Sequence, residues 1–307
     1  MARILVTRAI PGPALAQLAQ AGHAVTILPG ELPPDRDTLL AAVAEADGLL
    51  CMLTERVDAE LLAAAPKLRA VSNYAVGTDN IDLGAVAARG IPVGNTPDVL
   101  TDATADLALA LLLAVARRLP EAERAVREGT WTAWRASGWL GLELRGARLA
   151  IVGAGRIGRA TGERAAAFGM VVENVGRRDN LHAALARADA VSLHVPLTDA
   201  TQHLMDARAF AAMRPGAILV NTARGGIVDQ AALAAALHSG QLGGAGLDVM
   251  TPEPLPTDDP LLAAPNLLVV PHIGSATHRA REAMTRLAVK NLLAALAGEQ
   301  MPHQVGA

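Results

Sequence analysis

Three glycines, Gly153, Gly155 and Gly158, stand in the spacing G-x-G-x-x-G within Ile151-Val-Gly-Ala-Gly-Arg-Ile-Gly158. An apolar run, residues 147–152, leads into them. An alanine-rich stretch of helical character, 159–168, follows and stops at Gly169. Strand, glycine turn and helix is the setting in which this spacing binds the pyrophosphate of a dinucleotide. The first glycine permits the tight turn, the second lets backbone approach the phosphates, and the third lets helix pack on strand. The helix N-terminus then offers free N–H groups and partial positive charge to the anion. Other chemically able residues fall at the ends of apolar runs. Arg224 follows Ala217-Ile-Leu-Val-Asn221, Asp248 closes Gly246-Leu-Asp248, Glu253 lies just beyond, and His272 follows Leu267-Leu-Val-Val-Pro271. In an open parallel sheet, ligands bind past the carboxyl ends of the strands, so these pieces are expected to converge on one edge.

The chemistry that such a set suits is carbonyl reduction, in which a nicotinamide gives hydride to the carbon and the oxygen gains a proton. An imidazole titrates near ~6.5, which suits a general acid at neutral pH and makes His272 the candidate donor. A carboxylate beside it, Glu253, favours imidazolium and orients the ring. Arg224 can grip a substrate carboxylate through two N–H groups and polarise the carbonyl oxygen. Taken singly, each fits a plainer role: a surface ion pair for Arg224, a backbone-bonded core residue for His272, a solvated loop position for Glu253. Their shared strand-end placement beside a dinucleotide turn favours the chemistry. His194 also ends a strand, where it either lines the cleft or serves the structure. No Cys/His spacing suggests a metal ion.

Positioning these residues takes two α/β domains. The chain has 307 residues, too many for one ordinary core. With 51% hydrophobic residues it can bury ample apolar surface. A net charge of -3 with no basic block argues against nucleic acid as the main partner. The one cysteine, Cys51, excludes an internal disulfide and sits in an apolar run as a small buried hydrophobe. The first residues read as a strand rather than a signal peptide, and the apolar run 107–116 is too short to span a bilayer, so a soluble cytoplasmic protein is expected. In the first hundred residues, strands are expected at 4–7, 24–28, 48–53, 70–72 and 91–94, with helices at 13–20, 37–46, 58–65 and 82–89. A strong helix spans 101–118, its face formed by Leu107, Leu111, Leu112 and Val115. A loop at 129–141 holds Trp131, Trp134 and Trp139. After the glycine turn, strands are expected at 171–175, 190–195, 217–221, 246–249 and 267–270. A terminal helix, 279–297, has no strand to follow and is expected to pack back on the first domain. The fold class is therefore α/β, with two doubly wound, Rossmann-like parallel sheets and the active site in the cleft between them.

Several ordered stretches resemble the D-isomer-specific 2-hydroxyacid dehydrogenase family, and within it the glyoxylate and hydroxypyruvate reductases. They are Tyr74-Ala-Val-Gly-Thr-Asp-Asn-Ile-Asp82, Val99-Leu-Thr-Asp-Ala-Thr-Ala-Asp106, the glycine turn, Ser192-Leu-His-Val-Pro196, Asn221-Thr-Ala-Arg-Gly225, Gly244-Ala-Gly-Leu-Asp-Val249, Glu253-Pro254 and Pro271-His-Ile-Gly-Ser-Ala-Thr277. The resemblance implies that Arg224, Glu253 and His272 form the catalytic trio. It implies that Val76 and Gly77 meet the substrate carboxylate through backbone N–H groups, with Leu53 against the same substrate. It places Thr101 and Asp248 at the nicotinamide. The remaining dinucleotide contacts fall at Ala154, Arg156 and Ile157 of the turn, at His194, Val195, Pro196 and Thr201, at Thr222, Ala223 and Arg224, and at His272 and Gly274. It also implies a discontinuous substrate domain, 1–99 with 276–307, around a dinucleotide domain, 100–275. A homodimer joined through the dinucleotide domains is implied as well, with Trp139 approaching the neighbouring active site.

Two departures bear on the cofactor. The strand 171–175 ends in Gly176 where an acid would bind the ribose of NAD, and Arg177 and Arg178 follow. Room and guanidinium donors suit a 2′-phosphate, so NADP(H) is the expected cofactor and NAD(H) the alternative, with Asp179 as a displaced ribose acceptor. The crossover 179–188 is also shorter than the family's usual one. The expected reaction is reduction of glyoxylate and hydroxypyruvate to 2-hydroxy acids. Alternatives are another 2-oxo acid, phosphite, or a dinucleotide-sensing binding protein. The last is disfavoured by the lack of a charged or low-complexity tail. Glutamate at 253 disfavours formate oxidation.

Overall fold

The computed structural model describes residues 1–306; Ala307, the last residue of the expected substrate domain, lies outside them. In chain order the first strands and helices are β1 (Arg3–Val6), α1 (Ala16–Gln20), β2 (Ala24–Ile27), α2 (Arg36–Val43), β3 (Gly48–Cys51), α3 (Ala59–Ala64), β4 (Ala70–Asn73), α4 (Leu83–Ala88) and β5 (Val93–Gly94). There follow α5 (Thr101–Ala116), α6 (Leu119–Arg127), β6 (Arg148–Val152), α7 (Arg156–Ala167), β7 (Val171–Val175), α8 (Leu181–Leu185), β8 (Ala190–Leu193) and α9 (Ala207–Ala212). The chain closes with β9 (Ala217–Asn221), α10 (Gln230–His238), β10 (Leu242–Leu247), β11 (Leu267–Val269) and α11 (His278–Ala297). Two compact units result: Met1–Leu100 with the segment from Ser275 onward, and Thr101–Gly274.

The first unit holds a five-stranded sheet in the order β2-β1-β3-β4-β5, every pair parallel. Strands β3 and β4 are buried along their whole length, as a parallel strand covered on both faces must be. One face packs on a core that includes Leu39, Val43, Leu49, Leu61 and Val71. Helix α11 belongs to this unit and covers β3 and β4, with Leu292 and Leu296 pressed against Gly48. Cys51 is fully buried, and burial pushes its thiol up.

The second unit holds a six-stranded parallel sheet in the order β11-β10-β9-β8-β6-β7. The chain reverses direction across the sheet between β6 and β8, the switch point at which such folds bind ligands. One face packs against α5 and α7 through Leu111, Leu112, Val115 and Ile151. The other packs against α8, α9 and α10 around Phe210, with Leu185, Leu193 and Leu219. Each such leucine taken from water contributes about 1.5–3 kcal/mol. The exposed pairs of Arg164 with Asp102 and Asp106, which link α7 to α5, add roughly 0.2–1 kcal/mol each. Apolar burial therefore sets the fold.

Helix starts are mostly closed by their own side chains. Asp35, Asp58, Asp82, Asn180, Asp206, Asp229 and Thr277 each accept a backbone N–H in the first turn of the helix that follows. Helix α7 begins on Gly155, which has no side chain to do this. Helix α6, which the sequence pattern did not reveal, follows Arg118 in a left-handed conformation and buries none of its residues. No helix among the described residues is long and apolar enough to cross a membrane.

Candidate active site

The glycine turn joins β6 to α7. Gly153 has φ +93°, and a Cβ there would lie 2.7 Å from Val195 Cγ1. A Cβ on Gly158 would lie 2.3 Å from the Gly153 carbonyl oxygen, so only glycine lets α7 pack this close. Around Gly155 nothing would meet a Cβ within 4 Å. Open space thus faces the uncapped, positive end of α7, which is what a pyrophosphate requires. Beside it lies a cavity of about 540 Å³ lined by Gly153, Gly176, Arg177, Asp179, Val195, Pro196 and Thr201, with Leu181 and Leu204 among its apolar walls. These residues fit a dinucleotide. Arg178 is exposed and does not line the cavity. Asp179 does, and its Oδ2 accepts the Gly176 N–H at 2.7 Å. Thr201 closes the loop after β8 by donating from Oγ1 to the Pro196 carbonyl at 2.6 Å. His194 pairs through Nε2 with Ser192 Oγ at 2.8 Å, and desolvation pushes its pKa down to about 4, so the ring is neutral.

Beyond β9, buried Asn221 shapes the turn that carries Arg224. Its Nδ2 donates to the Arg224 carbonyl at 2.9 Å, and its Oδ1 accepts the Ala223 N–H at 3.0 Å. Arg224 Nη1 donates to the Ala223 carbonyl at 2.8 Å. The Thr222 hydroxyl is buried without a hydrogen-bond partner. Past β10, Glu253 Oε1 accepts the Met250 N–H at 3.0 Å and Oε2 lies 2.8 Å from His272 Nδ1. Burial would raise the Glu253 carboxyl. Its bond to His272, that ring's charge, the Met250 N–H and the charge of Arg224 outweigh burial and hold it below the ordinary carboxylate range. Glu253 is therefore the acceptor, Nδ1–H the donor, and Nε2 is left as the ring nitrogen for a ligand.

His272 sits in a left-handed conformation, φ +52°. Asp248 explains how it is held there. The Asp248 carbonyl accepts the His272 N–H at 2.9 Å. Its Oδ1 accepts the Ile273 N–H at 2.6 Å and its Oδ2 the Gly274 N–H at 2.8 Å. Asp248 is 1% exposed, and burial raises its carboxyl against the pull of those amides and of His272. Gly274 in turn accepts from Thr104 Oγ1 at 3.2 Å, tying the turn to α5. The sequence marks Asp248 as a strand-end residue but carries no sign of this clasp, whose partners lie more than twenty residues away.

In the first unit, Leu53 follows β3 and is half-buried, Val76 is 36% exposed and Gly77 half-buried in the loop after β4. Thr101 opens α5. Trp139 is half-buried at φ +47°, while Trp131 and Trp134 are exposed.

A Rossmann-type dinucleotide turn and a histidine–carboxylate pair at the carboxyl edge of one sheet mark a nicotinamide-dependent oxidoreductase. Residues 109–274 match the model of the D-isomer specific 2-hydroxyacid dehydrogenase, NAD binding domain. The chain is 45% identical over 317 residues to a glyoxylate reductase of Korarchaeum cryptofilum, covering 99% of this chain and 95% of that one. A crystal structure of a Thermus thermophilus protein superposes with a TM-score of 0.93 at 48% identity, covering 99% of both chains. An NADPH-dependent glyoxylate/hydroxypyruvate reductase of Sinorhizobium meliloti, solved with NADP and malonate, superposes at 0.87 and 34% identity over 99% of this chain and 97% of that one. The chain belongs to the D-isomer specific 2-hydroxyacid dehydrogenase family. It is an NAD(P)-dependent oxidoreductase, and its cofactor is a nicotinamide dinucleotide.

The depressed Glu253 pKa has a stability consequence. A carboxyl whose folded pKa lies below its unfolded value adds stability above the unfolded value and loses it as pH falls through the folded one. Glu253→Gln should therefore be less stable than the parent at pH 7. The gap should shrink as pH falls below the ordinary glutamate value of ~4.3. Melting temperatures from pH 3 to 7 check this; a gap that is constant or grows on acidification would contradict it.

Proposed function

We propose that the protein reduces small 2-oxo acids, glyoxylate and hydroxypyruvate foremost, to 2-hydroxy acids. The observation that carries this reading is the Glu253–His272 pair, with Nδ1 engaged and Nε2 free to face a carbonyl oxygen. The similarity to glyoxylate reductases over nearly the whole chain supports the substrate class. Bound reduced nicotinamide supplies the hydride that the carbonyl carbon accepts. Arg224 grips the substrate carboxylate and polarises the carbonyl oxygen. The N–H groups of Val76 and Gly77 meet the same carboxylate, and Leu53 packs against the substrate. His272 Nε2 gives its proton to the forming alkoxide, and Glu253 holds the ring and stabilises its charged form before transfer. Asp248 sets the backbone turn from which His272 acts.

NADP(H) is the proposed preferred cofactor. Gly176 leaves room where an acid would repel a 2′-phosphate, and Arg177 lines the cavity as a donor. Asp179 keeps NAD(H) usable, since one of its oxygens is held at the cavity by the Gly176 N–H.

The chain is further proposed to form a homodimer through its second unit, with Trp139 directed to the partner's site. Leu119, Val126, Trp131, Trp134 and Leu140 are all exposed along α6 and the loop after it, an apolar surface costly to leave in water.

Absorbance at the nicotinamide band tests the reaction. NADPH should be oxidised with glyoxylate and hydroxypyruvate, and more slowly with NADH in its place. His272→Ala should lose about 10²–10⁴-fold in kcat with NADPH affinity kept. Arg177→Ala should raise KM for NADPH more than Arg178→Ala does, and more than it raises KM for NADH. Absent 2-oxo acid turnover, or a fully active His272→Ala, would overturn the mechanism; equal effects on both cofactors would overturn the phosphate grip. Sedimentation tests the dimer: the parent should run as a dimer and Trp134→Glu should dissociate. A monomeric parent would refute it.

A further inference from the structure

We propose that Asn80 and Glu55 are positioning residues that turn the Leu53 amide outward and, through Asn73, tie it to the Gly77 peptide of the substrate-binding loop after β4. The inference rests on the proposed contact of Leu53, Val76 and Gly77 with the substrate.

Glu55 is 3% exposed just past the end of β3. Its Oε2 accepts from Thr7 Oγ1 at 2.7 Å and from the Met52 N–H at 2.6 Å. Its Oε1 accepts from Thr54 Oγ1 at 2.6 Å and from the guanidinium of Arg8. Thr7 and Arg8 follow β1, so one carboxylate laces the ends of β1 and β3 together. Burying a carboxylate is costly unless it is paired and hydrogen-bonded, and here every donor around it belongs to a chain segment at the sheet's carboxyl edge.

Asn80 continues the lacing to β4. Its Nδ2 donates to the carbonyls of Met52 and Glu55, each at 3.0 Å. Its Oδ1 accepts from Asn73 Nδ2 at 3.0 Å, and the same Asn73 group donates to the Gly77 carbonyl at 2.8 Å. Asn95 Nδ2 donates to the Val76 carbonyl at 2.8 Å, and the Thr96 N–H to the Ala75 carbonyl at 2.8 Å.

These bonds decide where the free amides face. In a trans peptide the C=O of one residue and the N–H of the next point in opposite directions. Asn80 Nδ2 holds the Met52 carbonyl, the Thr96 N–H the Ala75 carbonyl and Asn95 Nδ2 the Val76 carbonyl. The N–H groups of Leu53, Val76 and Gly77 are therefore turned away from these donors, that of Leu53 by Asn80 itself. Those are the three residues proposed to meet the substrate. Half-buried side-chain amides thus hold a fixed set of outward donors, which costs no reorganisation when an anion arrives. A loop free to rotate its peptides would have to be ordered on binding.

Asn80→Asp keeps the shape but sets acceptors against the Met52 and Glu55 carbonyls. Glu55→Gln sets an amide against one pair of its present donors. In each, KM for glyoxylate should rise by about tenfold or more, while kcat changes less and NADPH affinity, read by fluorescence titration, is kept. Amide hydrogen exchange at residues 53 and 76–78 should quicken in both variants, a readout that needs no turnover. Unchanged KM with unchanged exchange in folded variants would overturn the proposal. So would a parallel fall of kcat, NADPH affinity and melting temperature, which would mark a framework role only. Should the parent reduce no 2-oxo acid, the substrate reading fails by itself, and the exchange rates still decide whether the network orients these amides.

Discussion

The pairing of Glu253 with His272 is the interaction on which the functional arrangement turns. At 2.8 Å it commits Nδ1 to a carboxylate and leaves Nε2 as the reactive nitrogen. Asp248 holds the chain after β11 in the left-handed turn that presents His272, gathering three successive N–H groups onto its own carbonyl and carboxylate. Two carboxylates divide the work. Buried Asp248 binds backbone and has its carboxyl raised; the more exposed Glu253 binds a side chain and has its carboxyl lowered. Difference in environment assigns the roles, as expected where neighbouring titratable groups are pushed apart.

Parallel sheets make such gatherings possible. Every strand of the second unit ends on the same edge, so the glycine turn after β6, the Arg224 turn after β9, the Glu253 loop after β10 and the His272 turn after β11 arise at one side of one sheet. The first unit repeats the logic with polar side chains that are buried or half-buried. Glu55, Asn73 and Asn80 stitch the ends of β1, β3 and β4, where hydrophobic packing stops and the backbone would otherwise be loose. Apolar burial supplies the scaffold, and a few satisfied polar groups set directions within it.

Much of this was legible in the sequence because the signals are local. Buried parallel strands read as short apolar runs, and the glycine spacing marked its own turn. Strand-end placement was enough to bring Glu253 and His272 together on paper. Other features depend on distant partners. Glu55 stands in Thr54-Glu55-Arg56, which reads as a solvated turn; its burial comes from Thr7 and Arg8. Strand β10 begins at Leu242 rather than at the expected residue 246, since Gly243 and Gly244 carry no apolar side chain to extend the pattern. A Cβ at Gly244 would in fact strike the Asn266 side chain at 2.3 Å, so glycine there serves packing. Helix α7 starts at Arg156, before residue 159, since its glycines mask helical periodicity. Helix α6 escaped notice because it buries nothing to give a periodic pattern.

Glu253 fixes the His272 tautomer with the proton on Nδ1. Nitrogen-15 spectra of the histidine ring, assigned by comparison with His272→Gln and recorded across its titration, test this most directly. Above the transition the neutral ring should keep its proton on Nδ1, with Nε2 alone gaining and losing one. A neutral ring protonated on Nε2 would contradict it.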